Sequence, residues 1–330
     1  MSPEKFSVDK IGTGHIHQTY KLNGKISYIL QRINKSVFKQ PEVIASNLRF
    51  ASEYLKEKFP NYNFLRSIAT IDGMEMAYDA DGFPWRLFLF QENTITIDKV
   101  DTPEEAFRAA AGFGQLTSHL NNIDIGKFSE TIPRFHDLSL RYQQFLDARS
   151  QVSMERRRSA DGCIAACEQL YSLVEMYEKL IGSESLRLRV THNDTKINNI
   201  LFDEVSKEVV SVIDLDTLMP GYFIYDLGDM VRTFVSPVTE EEADYEKSVF
   251  RKEIYDSVLE GYLSEMGEVM SSDEKNAIPF AGKMMTFIMA LRFLTDYLNG
   301  DIYYHTMYSG QNLTRAGNQL RFLELLVKHT

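Results

Sequence analysis

His192-Asn193-Asp194-Thr195-Lys196-Ile197-Asn198-Asn199, with Asp214-Leu215-Asp216 beginning fifteen residues further on, decides how this chain is read. The flanks say how the two blocks are carried. Leu186-Arg187-Leu188-Arg189-Val190 is a short alternating run that delivers the first block from a half-buried segment. Ile200-Leu201-Phe202-Asp203 and Val209-Val210-Ser211-Val212-Ile213 are apolar runs around a polar turn, the pattern of a hairpin. Such a hairpin brings Asn199 and Asp214 to neighbouring ends. If the chain stays extended beyond it, Asp214 and Asp216 share one face, and both are expected to reach a metal ion.

The spacing is that of a kinase catalytic loop: His-x-Asp, then Asn five residues after the Asp, then a metal-binding Asp behind an apolar strand. Phosphoryl transfer to a hydroxyl needs a carboxylate to take the proton, oxygen ligands for Mg²⁺, and positive charge near the transferring group. Asp194, then Asn199 and Asp214, and finally Lys196 supply these. His192 belongs to the same block, in a structural role.

Composition sets bounds around this. With 330 residues, 44% of them hydrophobic, the chain is long enough for two domains and a sizeable core. A net charge of −11, from 36 basic and 47 acidic side chains, argues against nucleic acid or an anionic membrane as the main partner. No run is expected to reach the roughly 20 apolar residues of a membrane span, and Met1-Ser2-Pro3-Glu4-Lys5 leads into no signal-peptide core. Cys163 and Cys167 are spaced as two buried thiols on one helical face, too few for a structural zinc site. These features suit a reducing cytoplasm. Oligomeric state is not legible.

The architecture expected is α+β and bilobal: a small β-rich lobe over residues 1–93 for nucleotide, and a large, mainly helical lobe over 94–330 for catalysis and substrate. Ile16 to Leu22 and Ile26 to Ile33 flank Asn23-Gly24, a strong hairpin signal. Gln40 to Lys58 reads as a helix, and Met74–Tyr78 with Trp85–Phe90 as a second hairpin. From Thr102-Pro103-Glu104-Glu105 onward the pattern is helical. Helices are expected at 103–120, 138–150, 162–181, 224–234, 239–266, 272–298 and 313–329, with Arg156-Arg157-Arg158 a solvated turn.

On the nucleotide side, Gly12 and Gly14 in Ile11-Gly12-Thr13-Gly14-His15-Ile16-His17 would let backbone N–H groups approach phosphates, although no Gly-Lys-Ser/Thr follows. His17 is read as an exposed loop histidine. Tyr28-Ile29-Leu30-Gln31-Arg32-Ile33 puts Gln31 where a protein kinase has its strand lysine. Arg32 falls on the other face, so either Arg32 reaches round or Lys196 and Mg²⁺ carry more of the neutralisation. Glu42, Glu53 and Glu57 are read as surface charges. Phe90, Gln91 and Asn93 lie at the hinge position for the adenine edge.

With these residues in hand, the chain resembles the aminoglycoside phosphotransferase and choline kinase-like family. Within it, the chain is most similar to the N-acetylhexosamine 1-kinases. That narrower likeness rests on the two opening blocks with Met219-Pro220-Gly221, on Tyr28–Asn34, on Ile132-Pro133-Arg134-Phe135-His136, and on Arg292-Phe293-Leu294-Thr295-Asp296-Tyr297-Leu298 before Gly300-Asp301. The resemblance implies ATP- and Mg²⁺-dependent phosphorylation of the anomeric hydroxyl of N-acetylglucosamine or N-acetylgalactosamine. It implies Asp194 as base, Asn199 and Asp214 on magnesium with Asp216 beside them, and a brace for the loop from Asp226. Arg292 and Tyr303 match positions that contact the sugar, and His136, Asp296 and Tyr304 are further candidates; a salt bridge from Arg292 to Asp296 is the competing structural reading. Other readings stay open: a kinase of the same fold for another sugar, choline, homoserine or an aminoglycoside; a non-catalytic pseudokinase; or a metal-dependent hydrolase using Asp214 and Asp216.

Overall fold

The structure is a computed structural model that describes residues 6–11 and 17–330; Gly12 and Gly14 lie outside the described residues. The N-terminal region is built on β1 (Ser7–Ile11), β2 (Gln18–Asn23) and β3 (Tyr28–Arg32). Asn23 and Gly24 begin the turn that sets Leu22 opposite Tyr28. Helix α1 (Pro41–Lys58) follows, with Pro41 and Glu42 in its first turn and Lys56 and Lys58 in its last, the order a helix dipole favours. Its inner face buries Ile44, Leu48, Ala51 and Leu55. Strands β4 (Ala77–Tyr78) and β5 (Pro84–Leu89) complete a five-stranded antiparallel sheet in the order β1-β2-β3-β5-β4.

The chain then passes through β6 (Thr94–Ile95) into α2 (Pro103–His119). A capping box starts α2: the Thr102 hydroxyl accepts from the Glu105 N–H at 3.2 Å, and the Glu105 carboxylate accepts from the Thr102 N–H at 3.1 Å. Such a cap stabilises by about 1 kcal/mol. Helices α3 (Leu138–Gln151), α4 (Met154–Ser159), α5 (Asp161–Gln169) and α6 (Tyr171–Gly182) follow. The helix expected over 162–181 is therefore two, broken at Leu170, and the arginine triplet sits in α4 rather than in a turn. Arg156 donates to the Tyr297 carbonyl and pairs with Asp301 at 2.8 Å, so it anchors the far end of the chain's longest helix.

Strand β7 (Arg189–Thr191) feeds the catalytic block, and β8 (Ile200–Asp203) with β9 (Val209–Val212) forms the expected hairpin, ordered β6-β8-β9. Strand β10 (Met219–Gly221) pairs with β7. A buried pair, Arg189 with Glu274, fixes β7. Helix α7 (Phe223–Phe234) is buried almost throughout, and α8 (Lys252–Met266), α9 (Ser272–Asn276), α10 (Ile278–Leu298) and α11 (Gln311–His329) close the helical part. Helix α10 packs on α3, α7 and α11. Contrary to expectation, α10 is long and apolar enough by length and composition to cross a membrane, but it is mostly buried in the core. Its approach to α7 needs Gly228, where a Cβ would sit 2.4 Å from the Ala281 carbonyl oxygen.

Two more expected helices shorten. The one drawn over 272–298 breaks at Ala277, just ahead of Pro279. The one drawn from Thr239 starts only at Lys252. Glu240, Glu241 and Glu242 are helix formers, yet tertiary partners take the groups of residues 239–242 singly. Asn318 donates to the carbonyls of Thr239 and Glu242, Glu240 pairs with Arg232 at 3.0 Å, and Glu241 with Arg315 at 2.6 Å. Local propensity yields to these contacts.

Candidate active site

The catalytic block is held from below. Asp226, at the start of α7 and fully buried, accepts from the N–H groups of His192 and Asn193 at 3.0 and 2.7 Å, and its carbonyl accepts from the Thr195 hydroxyl at 2.7 Å. His192 is also fully buried. It bonds the Ile213 carbonyl through Nε2 at 2.9 Å and accepts from the Asp194 N–H through Nδ1 at 3.2 Å, tying the loop to the end of β9. His192 is thus a structural member of the block. Asn193 sits at φ 64°, a left-handed conformation with a modest cost. Its amide donates to the Thr191, Thr217 and Met219 carbonyls, which hold it there. Gly221 is required beside it: a Cβ would fall 2.2 Å from the Thr191 hydroxyl and 2.7 Å from Asn193 Oδ1.

Asp194 is held but open. Its Oδ1 lies 2.9 Å from Lys196 Nζ, and Asn199 Nδ2 donates to its carbonyl at 2.8 Å and to Oδ2 at 3.2 Å. Burial alone would raise its pKa; Lys196, His192 and Asn199 outweigh that and hold the carboxyl below the ordinary range. Lys196 is pushed up, chiefly by Asp194. Asp194 is therefore ionised at neutral pH, with Lys196 and Asn199 on the same carboxylate.

Asp214 differs. Its carboxyl is solvent-accessible at the floor of the cleft, and no hydrogen bond reaches it among the described residues. Burial of the surroundings, then the carboxylates of Asp216 and Asp194, raise its pKa. An uncompensated carboxylate facing two others is a fit for a cation, and Asp214 with Asn199 supplies hard oxygen donors. The chain is not extended here. Asp214 lies at φ 56°, and Leu215–Thr217 is a tight turn, yet an oxygen of Asp214, an oxygen of Asp216 and a ring nitrogen of His17 still lie within 4.8 Å of one another. Asp216 is nearly inaccessible, and both of its oxygens are taken: Oδ1 by Arg86 Nη1 at 2.5 Å and Oδ2 by His17 Nε2 at 2.6 Å. Its carboxyl is held well below the usual range by Arg86 and His17 against the burial that would raise it. Asp216, expected as a second metal carboxylate, thus stands beside Asp214 with both of its oxygens already facing Arg86 and His17.

His17 is also corrected. It is not an exposed loop histidine: its side chain is buried, its Nδ1 accepts from the Asn34 N–H at 3.1 Å, and its ring stacks on Phe38. Gln31 is paired in register with Arg86 across β3 and β5, so the two share a face. Gln31 Oε1 accepts from Arg86 Nε at 2.9 Å and from Nη2 at 2.5 Å. Arg32 does not reach round. It faces the other side of the sheet, over the Phe83 ring at 3.6 Å and 3.7 Å from Asp79. Phe90 gives its N–H to the Ser27 carbonyl, and Lys21 lies 3.5 Å from the centre of its ring. The Gln91 carbonyl accepts from Thr94, and the Asn93 carbonyl from the Glu204 N–H. Arg86 escaped the sequence reading, although an arginine inside the apolar strand Trp85–Phe90, opposite an uncharged Gln31, was its available signal.

Arg292 lies against Phe135, the neighbour of His136. Its guanidinium lies 5.3 Å from the Phe135 ring centre, 5.6 Å from Tyr304 and 5.9 Å from Tyr303, and it has no carboxylate partner among the described residues. Asp296 is not that partner and is not free for a ligand. It accepts from the N–H groups of Ile302, Tyr303 and Tyr304 and from Asn312, and so shapes the loop that presents the tyrosines. Tyr304 is enclosed with an unpartnered hydroxyl, whereas Tyr303 is 62% exposed. His136 is buried, bonds the Asn193 carbonyl at 2.8 Å, and is pushed down by burial to about 3, so it is neutral. Its contact is with the base's neighbour.

Comparison with known proteins agrees with this layout. A family described as "Phosphotransferase enzyme family" matches residues 7–259. Three solved structures share the fold. A microcompartment-associated aminopropanol kinase matches at 16% identity and a TM-score of 0.64, over 98% of this chain and 92% of that one. An amicoumacin kinase matches at 14% and 0.62, over 96% and 88%. A choline/ethanolamine kinase family protein from Mesorhizobium loti matches at 14% and 0.57, over 99% and 90%.

Proposed function

Because this chain belongs to the phosphotransferase enzyme family, we propose that it moves the terminal phosphoryl group of ATP to the anomeric hydroxyl of N-acetylglucosamine or N-acetylgalactosamine. The observation that carries the acceptor class is Arg292, a guanidinium with no carboxylate partner among the described residues, ringed by Phe135, Tyr303 and Tyr304; the residue after Phe135, His136, bonds the carbonyl of Asn193, the neighbour of Asp194. Cationic acceptors would be repelled there. A neutral sugar offers lone pairs to the guanidinium and apolar ring faces to the tyrosines. This sets the chain apart from neighbours named for aminopropanol and choline/ethanolamine.

The steps assigned to this chain's residues follow. Asp194, ionised and aimed by Asn199 and Lys196, orients the sugar hydroxyl and accepts its proton. The ring oxygen makes the anomeric hydroxyl the most acidic on the sugar, so a carboxylate suffices. Lys196 places a positive charge beside the base, where the transferring group must pass. Asp214 and Asn199 would hold Mg²⁺, which would neutralise phosphate oxygens. A structural neighbour was solved with AMP-PNP and Ca²⁺, and that pairing supports a nucleotide with a divalent ion here. Phe90, the residue after β5 and in alternation with Arg86 and Phe88, suits a purine wall, and Gln91 and Asn93 the chain that runs past it.

An acceptor panel tests the reading. With Mg·ATP, ADP release is measured for N-acetylhexosamines, simple hexoses, choline, aminopropanol and an aminoglycoside. The expected result is a kcat/KM for an N-acetylhexosamine at least roughly tenfold above every amine, about 1.4 kcal/mol of discrimination. Faster turnover of an amino alcohol would refute the acceptor assignment while leaving the kinase assignment standing.

A further inference from the structure

Kinases with a strand lysine use it to join nucleotide phosphates to a helix glutamate. This chain has neither partner in place. Gln31 occupies the lysine position, Glu42 is bonded to the Tyr78 hydroxyl at 2.5 Å, Glu53 is exposed, and Glu57 reaches only Lys58. The polar residues that α1 turns inward are Asn47 and Ser52, and Asn47 is spent on the Ser129 and Leu218 carbonyls.

A different buried network spans the cleft. On the sheet, Gln31 donates to the Thr19 hydroxyl at 3.2 Å and accepts twice from Arg86. Arg86 then pairs with Asp216, and Asp216 also accepts from His17. The side chains of Arg86, Asp216 and His17 are all 6% exposed or less. We infer that Arg86 is the positioning residue that couples the nucleotide-covering sheet to the metal-binding carboxylate of Asp214, acting through Asp216.

Three features carry this. Asp216 is two residues beyond Asp214, on the same tight turn. Asp214 stands in a left-handed conformation that its own side chain does not stabilise, so the turn must be held from outside. The side-chain holds on that turn are Arg86 and His17 on Asp216, and Asn193 on the Thr217 carbonyl. Finally, an oxygen of Asp214 lies within 4.8 Å of one of Asp216. Without Arg86, Asp216 would keep only His17, whose Nδ1 is already an acceptor, and its uncompensated charge would push against Asp214. A single guanidinium thus fixes the turn and confines the site's spare negative charge to Asp214.

The inference rests on the phosphotransferase reading, so its test avoids the acceptor. ADP affinity is measured by calorimetry with and without Mg²⁺ for the wild type, Arg86→Met, Asp216→Asn, the double variant and Arg86→Lys. Each single variant is expected to lose about tenfold or more of the Mg²⁺-dependent part of the affinity, with metal-free ADP binding changed less than about twofold. The double variant should be no worse than the poorer single one, because both remove one coupling. Arg86→Lys should recover part of the loss. If Arg86→Met does not fold, Gln31→Leu, which removes the two hydrogen bonds to Arg86 and the one to the Thr19 hydroxyl, should give a smaller loss of the same kind. Equal losses with and without Mg²⁺, or fully additive losses in the double variant, overturn the inference. A wild type that binds Mg·ADP as described but phosphorylates no acceptor would sink the function reading and leave the coupling intact.

Discussion

Asp194→Asn is expected to lower kcat by about a hundred- to ten-thousandfold, the range for removal of a positioned general base, with little change in Mg·ATP affinity. The asymmetry follows from the contacts. Asn keeps the size of the carboxylate and an oxygen for Asn199 Nδ2, and the loop beneath is held by His192 and Asp226 rather than by this side chain. What is lost is the negative charge that Lys196 faces and the site that takes the proton. Because Lys196, His192 and Asn199 hold the Asp194 pKa below the usual range, against its burial, the wild-type base stays ionised down to acidic pH. Asp194 should therefore put no acid limb on the rate above about pH 5. Steady-state kinetics with a nucleotide titration check both halves. Turnover within tenfold of wild type would remove Asp194 as the base.

Asp214→Asn is the second large effect, and it should separate activity from stability. Activity should fall on the order of a thousandfold, since a metal-directed charge is worth several kcal/mol to a phosphoryl transfer. Stability without metal should rise. Burial, Asp216 and Asp194 raise the Asp214 pKa in the folded state. A carboxyl that binds its proton more tightly when folded is a liability as pH climbs through and above its unfolded value. Asparagine removes that charge, so the metal-free Tm at neutral pH should increase, and Mg²⁺ should no longer raise it. Scanning calorimetry with and without Mg²⁺ reads this directly. A lower metal-free Tm in Asp214→Asn would mean that the carboxylate is structurally paired rather than waiting for a cation.

These two residues were legible because their context is local. The block from His192 to Asn199, the hairpin after it and Asp214 at its end are contiguous in sequence, and strand alternation with a polar turn suffices to bring them together. The same holds for the Thr102 cap and for α1. The path from Asp214 to Asp216 was not legible, because Asp214 adopts a left-handed conformation and turns the chain, which no alternation rule foresees, although the two carboxylates remain within 4.8 Å of each other. Arg86 and His17 were missed for a different reason. Their partner is more than a hundred residues away, and only the register that pairs Gln31 with Arg86 and the closing of sheet against turn make them neighbours. Asp296 was a candidate for the sugar by resemblance, and its place four residues from Arg292 offered a salt bridge as the competing reading. The structure spends it instead on three consecutive backbone N–H groups of a loop whose shape the sequence does not announce. Residues 239–251 show the converse, a stretch of helix formers dismantled by partners on α7 and α11.

The position of the transferred phosphoryl group tests the central claim most directly. The protein is incubated with Mg·ATP and N-acetylglucosamine or N-acetylgalactosamine, and the product is examined by phosphorus NMR coupled to proton detection. The account predicts a single phosphomonoester coupled to the anomeric proton, with loss of the reducing end in step with ADP formation. A phosphoester coupled to the methylene protons at the other end of the sugar, or ADP formed with the reducing end intact, would contradict it.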